Sequence, residues 1–178
     1  MKNLILSLIT ITLLSSLGCS SCKKETPNPN NLPPITQTGS NTFGCVINGV
    51  TWTPRGVRGT GNLSIDYDAG FNQGIFNIVA YNFKPAIAEQ LIIGVRDSLN
   101  FINAPKTLIL NRQSLYSISY NQPCDYFNQL SDVESNGTMT ILKLDRINRI
   151  ISGNFNATLI KQGCDTIKIT DGRFDMKF

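Results

Sequence analysis

Two aspartates separated by a single residue have the spacing in this sequence that best suits joint chemistry. Asp66 and Asp68 flank Tyr67 at the end of a segment with strand character, and residues two apart on a strand project to the same face. Two carboxylates on one face can share a Ca²⁺ ion or act as an acid and base pair. A solvated turn leading into Ala69 explains the same residues more simply, and both interpretations stay open.

Trp52 is the aromatic residue best placed to line the face of a sugar or another small ligand, because it follows directly after a predicted hairpin. Most aromatic side chains in a β domain of this size pack in the core or pair across strands. Trp52 is therefore a candidate ligand contact with a structural alternative.

The three cysteines in the body of the chain, Cys45, Cys124 and Cys164, suggest a disulfide rather than a metal site. Cys124 and Cys164 both lie beside residues typical of turns, and loop cysteines at one end of a sheet can meet easily. An exported protein would meet the oxidising conditions that a disulfide needs. We predict a Cys124–Cys164 bond, with Cys45 as a small buried apolar residue in a strand.

The absence of histidine is the strongest negative observation. It excludes Ser-His-Asp and Cys-His catalysis, and it removes the commonest zinc ligand. We predict no metal site and no cofactor, although carboxylate chemistry remains open. The net charge is only +4, with no basic cluster beyond Lys23 and Lys24, so we expect no nucleic-acid partner.

Residues 1–18 are predicted to form a lipoprotein signal peptide. A basic start precedes an apolar run over residues 4–17, which is too short to span a bilayer but suits a secretory signal. Small residues and a cysteine follow, a pattern typical of lipidation, with Cys19 favoured and Cys22 as the alternative. An ordinary cleaved signal and an uncleaved anchor are the competing interpretations. Several acyl chains would anchor the protein firmly in the outer membrane, on its periplasmic or cell-surface side.

Residues 19–41 are predicted to form a Pro/Asn-rich tether. They contain Pro27, Pro29, Pro33 and Pro34 and almost nothing apolar to bury, so we expect an extended, solvated segment. The remaining residues 42–178 have the size of one ordinary domain.

Apolar residues in that domain recur with period two, which indicates β-strands. The alternation is clearest at the C-terminus, where Phe174, Met176 and Phe178 are separated by charged residues. Asn48-Gly49 and Asn136-Gly137 are predicted hairpin turns, and Asp171-Gly172 a further turn. We predict a single all-β domain, an antiparallel β-sandwich or barrel of about eight to ten short strands.

Two segments resemble a known family when they are taken together with the predicted signal and tether. These are NTFGCVING (residues 41–49) and GCDTIKITDGRFD (residues 163–175). They are similar to an uncharacterised lipoprotein family of Bacteroidota, of the domain-of-unknown-function kind represented by DUF6252. The resemblance covers nearly the whole domain, and it implies an all-β fold and a lipid-anchored location, without a catalytic residue.

Two functions are compatible with these observations. The first is a non-enzymatic module, anchored to the membrane through its N-terminal lipid, that binds a glycan, a small ligand or an envelope protein. The second is a carboxylate-dependent hydrolase acting on glycans, with Asp66 and Asp68 as its candidate acid and base.

Overall fold

The structure is a computed structural model that describes residues 30–59 and 61–178, and almost all of its regular secondary structure is β-strand. Within these residues there are eleven β-strands and one short 3₁₀ turn, Leu99–Phe101. The strands are β1 (Thr42–Ile47), β2 (Val50–Trp52), β3 (Leu63–Asp68), β4 (Ile75–Phe83), β5 (Ala88–Val95), β6 (Lys106–Asn111), β7 (Tyr116–Asn121), β8 (Asp125–Tyr126), β9 (Val133–Asp145), β10 (Ile150–Lys161) and β11 (Ile167–Lys177).

Two antiparallel sheets pack face to face as a β-sandwich. One has six strands in the order β2-β1-β11-β10-β9-β6, and the other has five in the order β3-β4-β5-β7-β8. The all-β prediction is confirmed. The fold is a sandwich and not a closed barrel, since each sheet ends in terminal strands. The long strands β9, β10 and β11 contain 13, 12 and 11 residues.

The core lies between the sheets and is built from the predicted alternation. Phe174 and Met176 of β11 are both buried. The Phe174 ring lies 6.3 Å from that of Phe76 in the opposite sheet and 6.4 Å from that of Phe155 on the neighbouring strand. Gly153 is opposite Phe174 in the β10–β11 register, where a side chain would collide with the ring, since an added Cβ would lie 2.7 Å from it.

Only one of the two Asn-Gly pairs forms the predicted hairpin. Asn48 and Gly49 join β1 to β2 with φ angles of 49° and 83°, as a turn of this type requires. The prediction for Asn136-Gly137 is wrong, because both residues lie inside β9. There an added Cβ on Gly137 would lie 2.2 Å from the Asn156 carbonyl oxygen, so the glycine permits a close approach of two strands.

Asp171-Gly172 also lies inside a strand, which corrects its prediction as a turn. The two residues belong to β11, beside a shift in the β10–β11 register between Phe155 and Ala157. Such a bulge interrupts the alternation of side chains. For that reason the sequence pattern suggested two short strands where the structure has one long strand.

The predicted disulfide is confirmed. Cys124, just before β8, bonds to Cys164 in the β10–β11 turn, with their Cα atoms 6.4 Å apart. The bond therefore ties the five-stranded sheet to the six-stranded sheet. Cys45 is a buried free cysteine, and burial raises the pKa of its thiol well above the usual range, so it acts as the small apolar residue that was expected.

The chain from residue 30 to residue 41, which we call the N-terminal strap, lies against the six-stranded sheet. This differs from the prediction of a solvated tether up to residue 41. Leu32 is buried, and Pro33 packs over Gly44, where an added Cβ would lie 2.9 Å from the proline ring. Apolar contact with the outer face of β1 therefore holds the first half of the strap.

Asp175 holds the second half of the strap. Its carboxylate accepts hydrogen bonds from Thr36 Oγ1 at 2.6 Å and from the backbone N–H groups of Thr38, Gly39 and Ser40 at 2.8–3.2 Å. Burial alone would raise the pKa of Asp175, but these hydrogen bonds outweigh it and hold the pKa below the ordinary value of 3.8. The ionised carboxylate is thus the form that the strap binds.

Asp175→Asn should lower the free energy of unfolding by about 1–3 kcal/mol, the usual cost of weakening hydrogen bonds to a buried charged acceptor. Because the folded-state pKa is lowered, the contribution of Asp175 is fully present above its unfolded value and is lost as the pH falls through the folded one. The difference between wild type and variant in denaturant melts should therefore shrink at acid pH. Asp171→Asn, at an exposed position on the same strand, is the control and should stay within about 0.5 kcal/mol. Equal melts of wild type and Asp175→Asn at neutral pH would contradict the assignment.

Candidate functional site

A groove lies along β3, at one open side of the sandwich. It consists of two adjoining recesses of about 240 Å³ and about 460 Å³, which share Asn41, Asn62 and Leu63 as lining residues. The six-stranded sheet contributes Phe43 and Met176 to the other wall. We call this feature the β3 groove. Its walls contain both apolar and polar side chains, including two amides where the recesses meet.

The sequence pattern of β3 explains which side chains point into the sandwich. Leu63, Ile65 and Tyr67 are half-buried and pack against the core, whereas Asp66 and Asp68 are exposed. Both predicted carboxylates therefore lie on the solvent face of a terminal strand. The Tyr67 ring stacks on that of Phe178 at 3.9 Å between centroids, which closes the gap between the sheets beside the groove.

Asp68 stabilises the turn that follows β3. Its Oδ1 accepts hydrogen bonds from the backbone N–H groups of Gly70 and Phe71, at 2.7 and 3.2 Å, which is the turn interpretation given above. Within residues 30–59 and 61–178, no three side chains of the His, Cys, Asp and Glu types lie close enough together to hold a metal ion. Asp66 and Asp68 are thus placed on one face as predicted, without the further ligands that Ca²⁺ takes.

Trp52 lies in the core, which is the structural alternative to a ligand contact. It is only 4% exposed, and its Nε1–H donates a hydrogen bond to Glu89 Oε2 at 2.9 Å. Its ring meets that of Phe43 edge-on, with the centroids 6.2 Å apart. Because Phe43 lines the β3 groove, Trp52 supports that wall of the groove from behind.

The backbone of β3 presents unpaired groups to the groove side. β3 is the terminal strand of its sheet, and the structure pairs it only with β4 in the part of the chain it describes. The Asn62 carbonyl accepts the N–H of Tyr81 at 2.7 Å, directly opposite in an extension of the β3–β4 register. Hydrogen-bonded pairs alternate with non-bonded pairs in an antiparallel ladder. Ser64, Asp66 and Asp68 therefore bond to β4, and Leu63, Ile65 and Tyr67 direct both backbone groups outward.

These outward backbone groups and the two amide residues were not found by sequence reasoning. Asn41 is fixed in place because its Oδ1 accepts the N–H of Lys177 at 2.9 Å, and Asn62 because its Nδ2 donates to the Gly56 carbonyl at 2.9 Å. Neither contact can be recognised from the sequence pattern. The alternation in β3 was recognisable, but its place at the end of a sheet depends on pairing across the whole chain.

Two larger recesses are less suited to a ligand. One, of about 570 Å³, lies between the β9–β10 hairpin and the loop before β6. There Arg146 already donates to the carbonyls of Leu99, Asn100 and Ile102 at 3.0–3.4 Å. The other, of about 640 Å³, is an open and polar surface around Arg112 and Glu134. Their lining residues include at most one residue of a terminal strand, Asn111 of β6, whereas the β3 groove includes three residues of β3.

Comparisons with protein-family models, with curated proteins and with solved structures found no match for this chain. In the part of the chain that the structure describes, no helix is long and apolar enough to cross a membrane. The function therefore has to be inferred from the geometry of the β3 groove and from the sequence.

Proposed function

We propose that this protein is an exported, lipid-anchored β-sandwich that binds a partner in the β3 groove and has no catalytic role. The observation that carries the binding role is the terminal strand β3, with outward backbone groups at three residues beside a recess. An unpaired edge invites association, and natural sheets usually guard or cover such an edge. The similarity to lipoproteins of Bacteroidota is part of the same proposal.

Export is supported by the N-terminal sequence pattern and is consistent with the disulfide. Disulfides persist in oxidising compartments and are rare in the cytosol of most organisms. The Cys124–Cys164 bond joins the two sheets, so a reduced protein would lose a cross-link between its two layers. A disulfide-linked protein with a predicted export signal suits the bacterial envelope.

The strap limits how far the domain can lie from the lipid. The strap begins at Asn30, whose carbonyl accepts a hydrogen bond from Thr51 Oγ1 at 2.6 Å. If Cys19 carries the lipid, the chain between the two positions can span at most about 40 Å at full extension. The end of the strap, at Asn41, also lines the β3 groove, so the anchoring segment and the binding site are parts of one continuous surface.

The alternative, a glycan hydrolase that uses Asp66 and Asp68, receives no support from a specific contact. A glycosidase needs two carboxylates on opposite sides of the bond to be cleaved. Here both lie on the same exposed face of β3, and Asp68 is engaged in a turn. Binding is therefore the function that we propose.

Metabolic labelling with a fatty-acid analogue tests the anchor. Wild-type protein should be labelled, and Cys19→Ser should remove most of the label, because the acyl chains are attached to that thiol. Cys22→Ser is the matched variant and should keep the label. Full labelling of Cys19→Ser with loss in Cys22→Ser would move the lipid to Cys22, and absence of label from all three proteins would contradict the anchor.

A pull-down from solubilised envelope tests the groove. Ser64 is exposed and lines the groove, so Ser64→Trp should block it without disturbing the core. Asn156→Trp places the same side chain at an exposed position on β10 and serves as the control. A component retained by wild type and by Asn156→Trp should be lost from Ser64→Trp. Equal retention by all three proteins would contradict binding in the β3 groove.

A further inference from the structure

We propose that the occupant of the β3 groove is an extended polypeptide that adds to the five-stranded sheet as a new strand beside β3. Its side chains opposite Asp66 and Asp68 would be Lys or Arg at alternate positions. This inference rests on the proposed function, since it names the class of partner for the same site.

The backbone of β3 is the first support for a polypeptide. Leu63, Ile65 and Tyr67 each direct an N–H and a C=O outward, as the phase of the β3–β4 ladder requires. Residues two apart on a strand are about 6.6–6.8 Å apart, so donors and acceptors repeat at the spacing of another strand. An added strand satisfies all of them with main-chain hydrogen bonds.

The charge of the strand is the second support. Asp66 and Asp68 are exposed on one face, and no salt bridge to either occurs among residues 30–59 and 61–178. Opposite charges directly across two antiparallel strands stabilise the pair, and like charges destabilise it. A strand with cationic side chains on that face fits this edge better than a neutral or acidic one.

A second copy of the chain fits the edge poorly. Pairing β3 with β3 of another molecule would place Asp66 and Asp68 of both copies on one face, which gathers four carboxylates. The other six-residue terminal strand, β6, begins with the exposed Lys106, a residue that typically guards an edge against association. β3 has acidic side chains instead, so the two edges differ in the partner that they would accept.

Amide hydrogen exchange measured by NMR tests the inference on the full chain, purified in mild detergent. The probe is a ten-residue peptide of alternating Lys and Val. Without peptide, the outward amides of Leu63, Ile65 and Tyr67 should exchange faster than those of Ser64 and Asp66, which bond to β4. Saturating peptide should slow the three outward amides at least about tenfold, because each gains a hydrogen-bond acceptor.

Two matched controls separate strand addition from general attraction. The same peptide with N-methyl groups on alternate residues keeps its charge but cannot complete the ladder, and it should give no protection. Asp66→Asn with Asp68→Asn should weaken binding of the unmodified peptide by about three- to tenfold at low salt, the usual size of two exposed charge pairs. Asp171→Asn, at an exposed position on β11, should bind as wild type does.

The remaining outcomes overturn the inference in distinguishable ways. Protection by a β-1,4-linked N-acetylglucosamine hexamer, and not by the peptide, would show that the groove binds glycans. Protection that rises with protein concentration alone would show that a second copy occupies the edge. Unchanged exchange with every probe, together with loss of an envelope component from Ser64→Trp, would reject strand addition and leave the proposed function standing.

Discussion

Phe174→Ala is expected to lower the free energy of unfolding by about 3–5 kcal/mol, the usual range for a buried aromatic residue. The Phe174 side chain is 2% exposed and lies between the rings of Phe76 and Phe155. It therefore joins the two sheets and two neighbouring strands at one point. Its removal leaves a cavity that these residues, held on β-strands, can fill only in part.

Lys177→Ala is the matched control on the same strand. Lys177 is exposed on the opposite face, and surface substitutions usually stay within about 0.5 kcal/mol. Denaturant melts of the two variants and wild type, followed by tryptophan fluorescence, give the comparison, because Trp52 lies in the core. Small and equal effects of both substitutions would mean that the last strand does not pack as the structure shows.

Removal of the disulfide is expected to cost about 3–4 kcal/mol for a closed loop of this length in the chain-entropy model. Cys124 and Cys164 are 40 residues apart in sequence, and their bond restricts the unfolded chain. Cys124→Ser with Cys164→Ser should melt at correspondingly lower denaturant, and wild type in reductant should behave like the variant. Wild type that melts identically with and without reductant, or free thiols at both positions in mass mapping, would contradict the bond.

The period-two pattern predicted the fold class because it depends on local chemistry. An alternating strand such as β11 shows its buried face in the sequence, whatever it pairs with. The sequence could not show that Gly137 and Gly172 lie inside strands, since a glycine that permits close strand contact has the same sequence signature as one in a turn. Strand lengths were therefore underestimated where bulges or glycines interrupt the pattern.

The N-terminal strap shows a second kind of limit. Residues 30–41 have few apolar side chains, which favoured a solvated tether. The second half of the strap is held by hydrogen bonds to Asp175, more than 130 positions later in the chain. A partner so distant in sequence leaves no periodic signal, and Asp175 looks like any other polar residue on an alternating strand.

The sequence predicted the arrangement of the two aspartates on β3, but it did not predict the β3 groove. Asp66 and Asp68 lie on one exposed face as predicted, and Trp52, a candidate ligand contact with a structural alternative, packs in the core. The unpaired edge of β3 follows from the order of strands in the sheet. That order depends on the joint packing of all strands, which no single segment determines.

Photo-crosslinking in intact cells tests the central claim, binding in the β3 groove, most directly. A photoreactive amino acid at position 64 lies in the groove, and one at position 156 lies on the exposed face of β10. The account predicts a defined cross-linked product from position 64, its absence from position 156, and its loss when Asp66 and Asp68 are replaced by lysine. The same product from both positions, or from neither, would contradict the β3 groove as the binding site.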